Sequence, residues 1–314
     1  MKNTFLLPIC LLLTSCYLFK PEAVHDSIYA NEYQPFKAGT KVVKLPEEST
    51  LKLHNDLPRL DGATALYPLY SAFVQAVYPE DDYPNWNYDA LVGLSTTANA
   101  YKKLIEGRVT LIFCAKPSDD QIEMAREKDI EFYMTPIGRE AFVFFVNRRN
   151  PVSNITIDNV IDIYSGKITN WSQLGGRRNE IKVYQRSKNS GSQTMLESIM
   201  GDVKLIEPIT ENVMTFMLDI VNQTASYRNY RNAIGYSFLF YTTQMVSNNK
   251  LKLLSINGVM PSTETIQNGT YPFTDEFYAI TTDPYNENVN KFIEWILSEQ
   301  GQYLVEKTGY VQIK

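Results

Sequence analysis

Histidine is scarce in this chain of 314 residues, and its scarcity excludes several kinds of catalytic site. The two histidines, His25 and His54, both precede residue 57, where the predicted alternation of strands and helices begins. A Ser-His-Asp hydrolase needs a histidine beside its nucleophile, and a catalytic zinc needs clustered His, Cys or carboxylate ligands. The sequence has no His/Cys cluster at ligand spacing. We therefore predict a protein that is not an enzyme of these classes and that needs neither a metal nor an organic cofactor.

The chain also lacks a net positive charge. The chain carries 35 acidic and 30 basic side chains, a formal net charge of -5 and a pI near 5.3. Proteins that bind nucleic acid through its phosphates show a basic face or stripe, and no such stripe occurs here, so a nucleic-acid partner is not expected. A hydrophobic content of 44% with 21% charged residues is ordinary for a globular protein. The length is sufficient for two lobes, each with its own core.

Cysteine is also scarce, and the positions of the three cysteines are informative. Cys10 lies inside a short apolar run that follows Met1-Lys2-Asn3 and ends at Leu13, which is the pattern of a secretory signal. The residues Leu13-Thr14-Ser15-Cys16 resemble a bacterial lipobox, which implies cleavage before Cys16 and lipid attachment to it. We therefore predict an exported lipoprotein on a membrane of the cell envelope, with a signal at 1–15 and a tether at 16–43. The alternative is a plain signal with Cys16 free. Cys114 is expected to be an inert core residue.

From residue 57 onward the chain alternates short apolar segments with helical patterns, which predicts an α/β fold. The predicted strands lie at 110–114, 141–147, 181–184, 233–240 and 277–282. The last element, 290–305, has apolar residues at helical spacing and is predicted to be one amphipathic closing helix.

The segment around Arg186 predicts a strand, a turn and a helix start that could hold an anion. Ser190 is the expected N-cap, because an apolar helical pattern follows it and stops at Gly201. The free N–H groups of a helix start favour an oxyanion, and Gly191 allows the backbone to approach it. Arg186 adds a fork of donors. An ordinary capped helix with a surface arginine remains the alternative for this loop alone.

Two further helix starts have the same character. Asp61-Gly62-Ala63-Thr64 precedes a helical pattern, with Thr64 as the predicted cap, and Ser95-Thr96-Thr97 precedes another that stops at Gly107. If these starts meet in one cleft, their dipoles can bind an anion without a positive surface.

Many ordered segments resemble the phosphate-binding proteins of bacterial ABC importers, which belong to the two-lobed periplasmic binding protein superfamily. The matching segments are Gly62-Ala63-Thr64, 136–143, 163–171, 186–194, Ala233-Ile234-Gly235-Tyr236, Gly269-Thr270-Tyr271-Pro272 and the 301–311 region. The resemblance covers nearly all of the chain after the tether.

The resemblance implies two α/β lobes joined by antiparallel crossover strands near 139–146 and 272–280. Lobe 1 would then comprise 44–138 plus 276–314, and lobe 2 would comprise 139–275. It also implies a monomer that delivers inorganic phosphate to an ABC permease without catalysis. The implied ligand-binding residues are Thr64, Ala65, Thr97, Arg186, Ser190, Gly191 and Ser192.

One position departs from the family. An Asp usually stands shortly before the proline that corresponds to Pro117, where it accepts a hydrogen bond from protonated phosphate, and this chain has Ala115 there. Candidate replacements are Asp61, Asp119 and Asp120, while Lys116 could add positive charge. The change leaves open sulfate, molybdate or a small organic anion as the ligand, and it also leaves open an envelope sensor or interaction module without an importer.

Three short motifs imitate those of penicillin-interacting enzymes and would suggest an enzyme. They are Ser49-Thr50-Leu51-Lys52, Ser187-Lys188-Asn189 and Lys307-Thr308-Gly309. Ser49 lies where the tether ends, and Lys307 leaves too little chain for the strand that should present it. We therefore reject the enzyme hypothesis.

Overall fold

The computed structural model describes residues 29–85, 87–229 and 231–313. The predicted signal segment and the predicted lipidation site, Cys16, lie outside these residues. The described helices are α1 (Tyr67–Val77), α2 (Thr97–Ile105), α3 (Asp119–Arg126), α4 (Ile157–Tyr164), α5 (Gly191–Met200), α6 (Met217–Ala225), α7 (Thr263–Gln267), α8 (Glu287–Ile296) and α9 (Glu299–Thr308). The strands are β1 (Leu60–Gly62), β2 (Leu111–Cys114), β3 (Tyr133–Asn147), β4 (Asn154–Ile155), β5 (Lys182–Val183), β6 (Gln185–Arg186), β7 (Val213–Met214), β8 (Ala233–Phe238), β9 (Leu251–Leu253), β10 (Ser255–Ile256) and β11 (Thr274–Thr281).

A mixed sheet runs through the molecule, which confirms the predicted α/β class. Its strand order is β1-β2-β11-β3-β8-β5, with β9 also paired to β3. The predicted strands at 110–114, 233–240 and 277–282 correspond to β2, β8 and β11. These segments are rich in β-branched and aromatic residues, and helices cover them, so their side chains are almost all buried. Cys114 is free and buried, as predicted.

The longest strand, β3, connects the two ends of this sheet. Its first part pairs antiparallel with β11, from Tyr133 opposite Thr281 to Ala141 opposite Thr274. Its second part pairs antiparallel with β8. The sequence pattern predicted only 141–147, because the earlier residues of β3 are partly exposed and lack the apolar run. A single strand therefore supports both halves of the molecule, and β11 runs beside it in the opposite direction.

The core on the β1 side of the sheet is built around α1. All but one of the side chains of α1 are buried, since the helix is apolar on every side. Its Phe73 ring meets Phe292 and Trp295 of α8 edge-on, at centroid distances of 6.4 and 6.1 Å. Helix α9 packs on the same helix. Of the helices in the described ranges, none has the length and hydrophobicity that crossing a bilayer requires.

The predicted single closing helix at 290–305 is wrong, because the structure divides this segment into α8 and α9. Ser298 lies at the break, and its Oγ accepts a hydrogen bond from the Gly301 amide at 3.5 Å, which starts a new helix. Gly301 lies against the backbone of Ile296, where a Cβ atom would collide. Both helices have buried residues at helical spacing, so the apolar pattern continues across the break. Periodicity alone therefore did not reveal the break.

The described part of the predicted tether contacts the folded part of the molecule. The Phe36 amide donates to Gln75 Oε1 of α1 at 2.6 Å. Gln34 Nε2 donates to Asp82 Oδ1 at 2.7 Å. Residues 29–43 therefore include a segment that packs on α1.

Candidate functional site

The first loop of the site follows β1. The Ala63 amide donates to the Phe113 carbonyl at 2.9 Å, and a Cβ atom on Gly62 would lie 2.6 Å from the same oxygen. Only glycine allows this approach. A short 3-10 turn begins at Thr64, and the residue at its cap position is Ala63, without a side-chain hydrogen bond. The prediction of Thr64 as an N-cap is wrong, because the chain enters α1 through this turn. Thr64 and Ala65 are both buried.

The second loop leads into α2. Thr96 is the N-cap, and its Oγ1 accepts a hydrogen bond from the Asn99 amide at 3.5 Å. Its φ angle of 108° is unusual for a threonine. Thr97 is the first residue of the helix and is 7% exposed. The expected Ser/Thr-led helix start is therefore present.

A buried carboxylate joins these two loops. Asp61 Oδ1 accepts hydrogen bonds from the Gly62 amide at 2.7 Å and from the amide and hydroxyl of Ser95, both at 2.9 Å. Its Oδ2 contacts Lys103 Nζ at 2.7 Å, and both side chains are almost fully buried. Both oxygens of Asp61 are thus engaged away from the cavity described below. Its observed role is to hold the loops together.

The third loop precedes α5. Ser190 Oγ accepts a hydrogen bond from the Gln193 amide at 3.3 Å, which confirms Ser190 as the N-cap. The helix ends at Gly201, whose φ angle is 54°, as the sequence predicted. Asn189, just before the cap, has a left-handed φ angle of 67°. The first two residues of α5, Gly191 and Ser192, line the cavity described below.

Arg186 is buried and its side chain is directed at backbone carbonyls. Nε donates to Met214 O at 3.0 Å, and Nη2 donates to Thr215 O at 2.9 Å. Its own amide donates to Tyr236 Oη and to Gln193 Oε1. Arg186 therefore connects β6 to the start of α6. It is not among the residues that line the cavity.

A cavity of about 40 Å³ lies where the three loops meet. Four of the predicted ligand-binding residues line it, namely Ala65, Thr97, Gly191 and Ser192, whereas Thr64, Ser190 and Arg186 are not among its lining residues. The other lining residues are Ala63, Leu66, Ala115, Glu140, Met195, Met217, Phe238, Asp275, Glu276 and Phe277. The volume is sufficient for a few waters or one small anion.

The second and third loops approach each other closely at this cavity. A Cβ atom built on Gly191 would lie 3.0 Å from Thr97 Oγ1. The Ser192 side chain is 1% exposed, and its Oγ has no hydrogen-bond partner among the described residues. A buried hydroxyl without a partner costs about 1–3 kcal/mol, so such groups normally bind water or a ligand. The arrangement is suited to a ligand in the cavity that carries several hydrogen-bond acceptors.

Three carboxyl side chains line the cavity and were missed by the sequence reasoning. Glu140 comes from β3, and Asp275 and Glu276 come from β11. Their strands, β3 and β11, pair with each other, and no local motif marks a carboxylate there as facing a cleft. Ala115 also lines the cavity. The position where the family has an Asp thus faces the site but offers only a methyl group.

Glu140 is the most enclosed of these carboxyl groups. It is 7% exposed, and its Oε1 accepts a hydrogen bond from the Phe240 amide at 2.6 Å. Burial raises the pKa of Glu140 to about 8, although the Phe240 hydrogen bond opposes the shift. The carboxyl group is therefore mostly protonated at neutral pH.

The other acidic and basic candidates from the sequence lie outside the cavity. Lys116 Nζ contacts Asp275 Oδ1 at 3.2 Å, and Asp120 Oδ2 contacts Lys188 Nζ at 2.7 Å. Lys116 and Asp119 line an adjoining, more open cleft of about 540 Å³. Within the described ranges, no group of three or more His, Cys, Asp or Glu side chains could hold a metal ion.

Contacts bridge this open cleft. Ser118 Oγ donates to Asn189 Oδ1 at 2.9 Å, and Gln121 Nε2 donates to Asn189 O at 3.2 Å. With the pair between Asp120 and Lys188, these bonds connect α3 to the loop before α5. They join the segment that follows β2 to the third loop across the cleft.

The sequence matches a model of the PBP superfamily domain over residues 57–300, which is most of the chain. The chain belongs to the PBP superfamily. Among its relatives, the phosphate-binding protein PstS of Borreliella burgdorferi is 25% identical over 267 residues, covering 81% of this chain and 89% of the relative. The phosphate-binding protein PstS of Bacillus subtilis is 25% identical over 256 residues, covering 81% and 80%.

Solved structures show the same PBP fold. A proposed phosphate ABC transporter substrate-binding protein with bound phosphate from Clostridium perfringens superposes with a TM-score of 0.64 at 22% identity, covering 81% of this chain and 98% of that one. An ABC-type phosphate transport receptor from Vibrio cholerae gives a TM-score of 0.59 at 19% identity, with the same coverage.

Proposed function

We propose that this protein is a solute-binding protein that captures inorganic phosphate, or a similar tetrahedral oxyanion, in the cavity between its three helix starts. The observation that carries the proposal is the buried, unpartnered Ser192 hydroxyl in that cavity, at the start of α5. Relatives that bear the name phosphate-binding protein support the choice of anion. Binding requires no chemical step, metal or organic cofactor.

The proposed ligand contacts follow from the chemistry of helix starts. Backbone N–H groups and hydroxyls are neutral donors that strengthen when water is excluded. We expect direct contacts from the residues at the cavity wall and support from those behind it. The full set is Thr64, Ala65, Thr97, Arg186, Ser190, Gly191 and Ser192. Arg186 would add positive charge from behind the wall, with its present carbonyl partners holding it near the anion.

The proposed lobes are those implied by the family resemblance, 44–138 plus 276–314 and 139–275. The antiparallel strands β3 and β11 would form the crossover between them. The ligand would enter when the lobes separate. The Asn189 and Lys188 contacts with α3 would then break on opening and re-form on closure.

Delivery and anchoring belong to the same proposal. The protein would act outside the cytoplasm as a monomer and deliver its ligand to an ABC permease. A lipid on Cys16 would hold it at a membrane of the cell envelope, since several acyl chains on one residue give stable anchoring. The segment that packs on α1 would set how much of the tether remains to extend from the membrane.

Ala115 supports a second candidate ligand. An Asp at this position accepts a hydrogen bond from a protonated anion and repels a fully ionised one. A methyl group provides no such filter, so sulfate or another oxyanion is the alternative ligand.

Isothermal titration calorimetry of the anion-stripped protein with phosphate and with sulfate tests this proposal. We expect phosphate to bind in a one-to-one complex, and Ser192→Ala to weaken it because one donor is lost. Preferential binding of sulfate would favour the alternative ligand. Failure of both anions to bind would refute the proposal.

A further inference from the structure

The three carboxyl groups of the cavity wall differ in their partners. Asp275 Oδ1 contacts Lys116 Nζ at 3.2 Å, and Glu276 Oε2 accepts the Tyr278 hydroxyl at 2.8 Å. Glu140 accepts one hydrogen bond within the described residues, on Oε1, and has no cation beside it. Its second oxygen accepts no hydrogen bond from the described residues, and of the three carboxyl groups Glu140 is the one that is almost fully buried.

Among the described residues, no basic side chain forms an ion pair with Glu140. From β11, Asp275 lies directly opposite in the strand register, and Glu276 follows it. From the C-terminal segment comes Tyr310, whose pKa is raised well above its ordinary value by burial and by the Glu140 carboxylate. The neighbouring Arg139 on β3 turns its guanidinium to the Gln312 carbonyl. A charged carboxylate at this position would be surrounded by acids and apolar groups.

We propose that the Glu140 carboxyl binds the captured anion directly, as a neutral acid that donates its O–H to one of the anion oxygens. This inference rests on the proposed function, since it assigns a contact within the same cavity. It makes Glu140 a specificity-determining residue on a crossover strand, at a place where the sequence showed no binding motif.

The chemistry differs from that of the aspartate that the family places at Ala115. An ionised Asp can only accept a hydrogen bond from the ligand, so it selects a protonated anion. A protonated Glu donates the hydrogen bond from its own O–H, so it favours the fully ionised anion. The raised pKa of Glu140 agrees with this role, because a nearby anion opposes ionisation of the carboxyl group still further.

The sign of the pH dependence follows from this assignment. The acid form of Glu140 is present below a pKa of about 8 and is lost as the pH rises through that value. If the anion needs the acid form, its apparent dissociation constant rises about tenfold for each pH unit above the pKa. Phosphate itself is already a dianion from about pH 8 upward, so its own titration does not produce the change.

The test is phosphate titration calorimetry on the full-length protein in detergent, between about pH 8 and about pH 10. Three proteins are compared: the parent, Glu140→Gln and Glu197→Gln. Glutamine keeps the acceptor for the Phe240 amide and a donor for the anion but does not titrate. Glu197 is the matched control, because burial also raises its pKa but it lies outside the cavity, in the adjoining cleft.

We expect phosphate affinity to fall steeply with pH in the parent and in Glu197→Gln, and to be nearly flat in Glu140→Gln. A slope in Glu140→Gln equal to that of the parent would overturn the inference and leave the proposed function intact. Failure of the parent to bind phosphate at any pH would overturn both.

A second variant separates a direct contact from simple repulsion. Glu140→Leu removes both the donor and the charge, so at about pH 7, where the acid is neutral, it should bind phosphate at least about tenfold more weakly than Glu140→Gln. Thermal unfolding without phosphate checks that both variants fold. Equal phosphate affinity of the two folded variants would show that the carboxyl group does not contact the anion.

Discussion

Removing the charge of Asp61 is expected to cost more stability than any other single change at this site. Its carboxylate is 2.7 Å from Lys103 Nζ, and the two side chains are 0% and 3% exposed. Asp61→Asn preserves an acceptor for the Gly62 and Ser95 amides, so it isolates the loss of charge. In this variant the Lys103 ammonium group stays buried without its counter-ion.

Breaking a buried ion pair by removing one partner costs about 3–5 kcal/mol, because the other charge stays desolvated. The ring of Tyr88, 4.6 Å from Lys103 Nζ, offsets only part of this. The double variant Asp61→Asn with Lys103→Met removes both charges and keeps the apolar stem. We expect it to recover at least about half of the lost free energy of unfolding, since replacing both charges of a buried pair is often neutral.

The assay is urea unfolding of the parent, both single variants and the double variant, followed by circular dichroism. Coupling of at least about 2 kcal/mol between the two substitutions supports the account. If Asp61→Asn changes the free energy of unfolding by less than about 1 kcal/mol, or if the two substitutions are additive, the pair does not stabilise the two loops as argued.

Three further predictions concern the ligand and the anchor. Arg186→Ala should weaken phosphate binding by at least about 2 kcal/mol and also lower the melting temperature, because the Met214 and Thr215 carbonyls each lose one donor. Parent-like phosphate affinity in calorimetry would remove Arg186 from the site. Gly191→Ala places a methyl group 3.0 Å from Thr97 Oγ1 in a cavity of about 40 Å³, so phosphate affinity should fall about tenfold or more. Normal affinity in calorimetry would contradict the cavity geometry. Cys16→Ala should move the protein from the membrane fraction to the soluble fraction, and membrane retention without lipid in the mass spectrum would refute the anchor.

The helix starts were predictable from the sequence because their signals are local. A hydroxyl residue before an apolar helical pattern defines Ser190 as a cap, and the structure confirms it. The class of fold followed from the alternation of strand and helix patterns. Thr64 was misassigned as a cap, since a 3-10 turn between a strand and a helix leaves no distinct pattern in the sequence.

The parts that could not be predicted depend on contacts between distant segments. Glu140 reaches the cavity only because β3 runs beside β11 and spans both halves of the sheet. Asp61 binds Lys103, which is 42 positions away in the sequence. Because of this contact, the Asp61 carboxylate does not replace the missing aspartate in the cavity. The direction of the Arg186 side chain depends on the end of β7 and the residue after it, whose Met214 and Thr215 carbonyls it binds. Such partners are set by tertiary packing, on which local sequence patterns carry no information.

A crystal structure of the protein grown with saturating phosphate tests the central claim most directly. The account predicts tetrahedral density in the cavity, with oxygens within about 3 Å of Ser192 Oγ and of amides in the loops before α1 and α5. An anion bound elsewhere, or an empty cavity under conditions where calorimetry shows saturation, would contradict it.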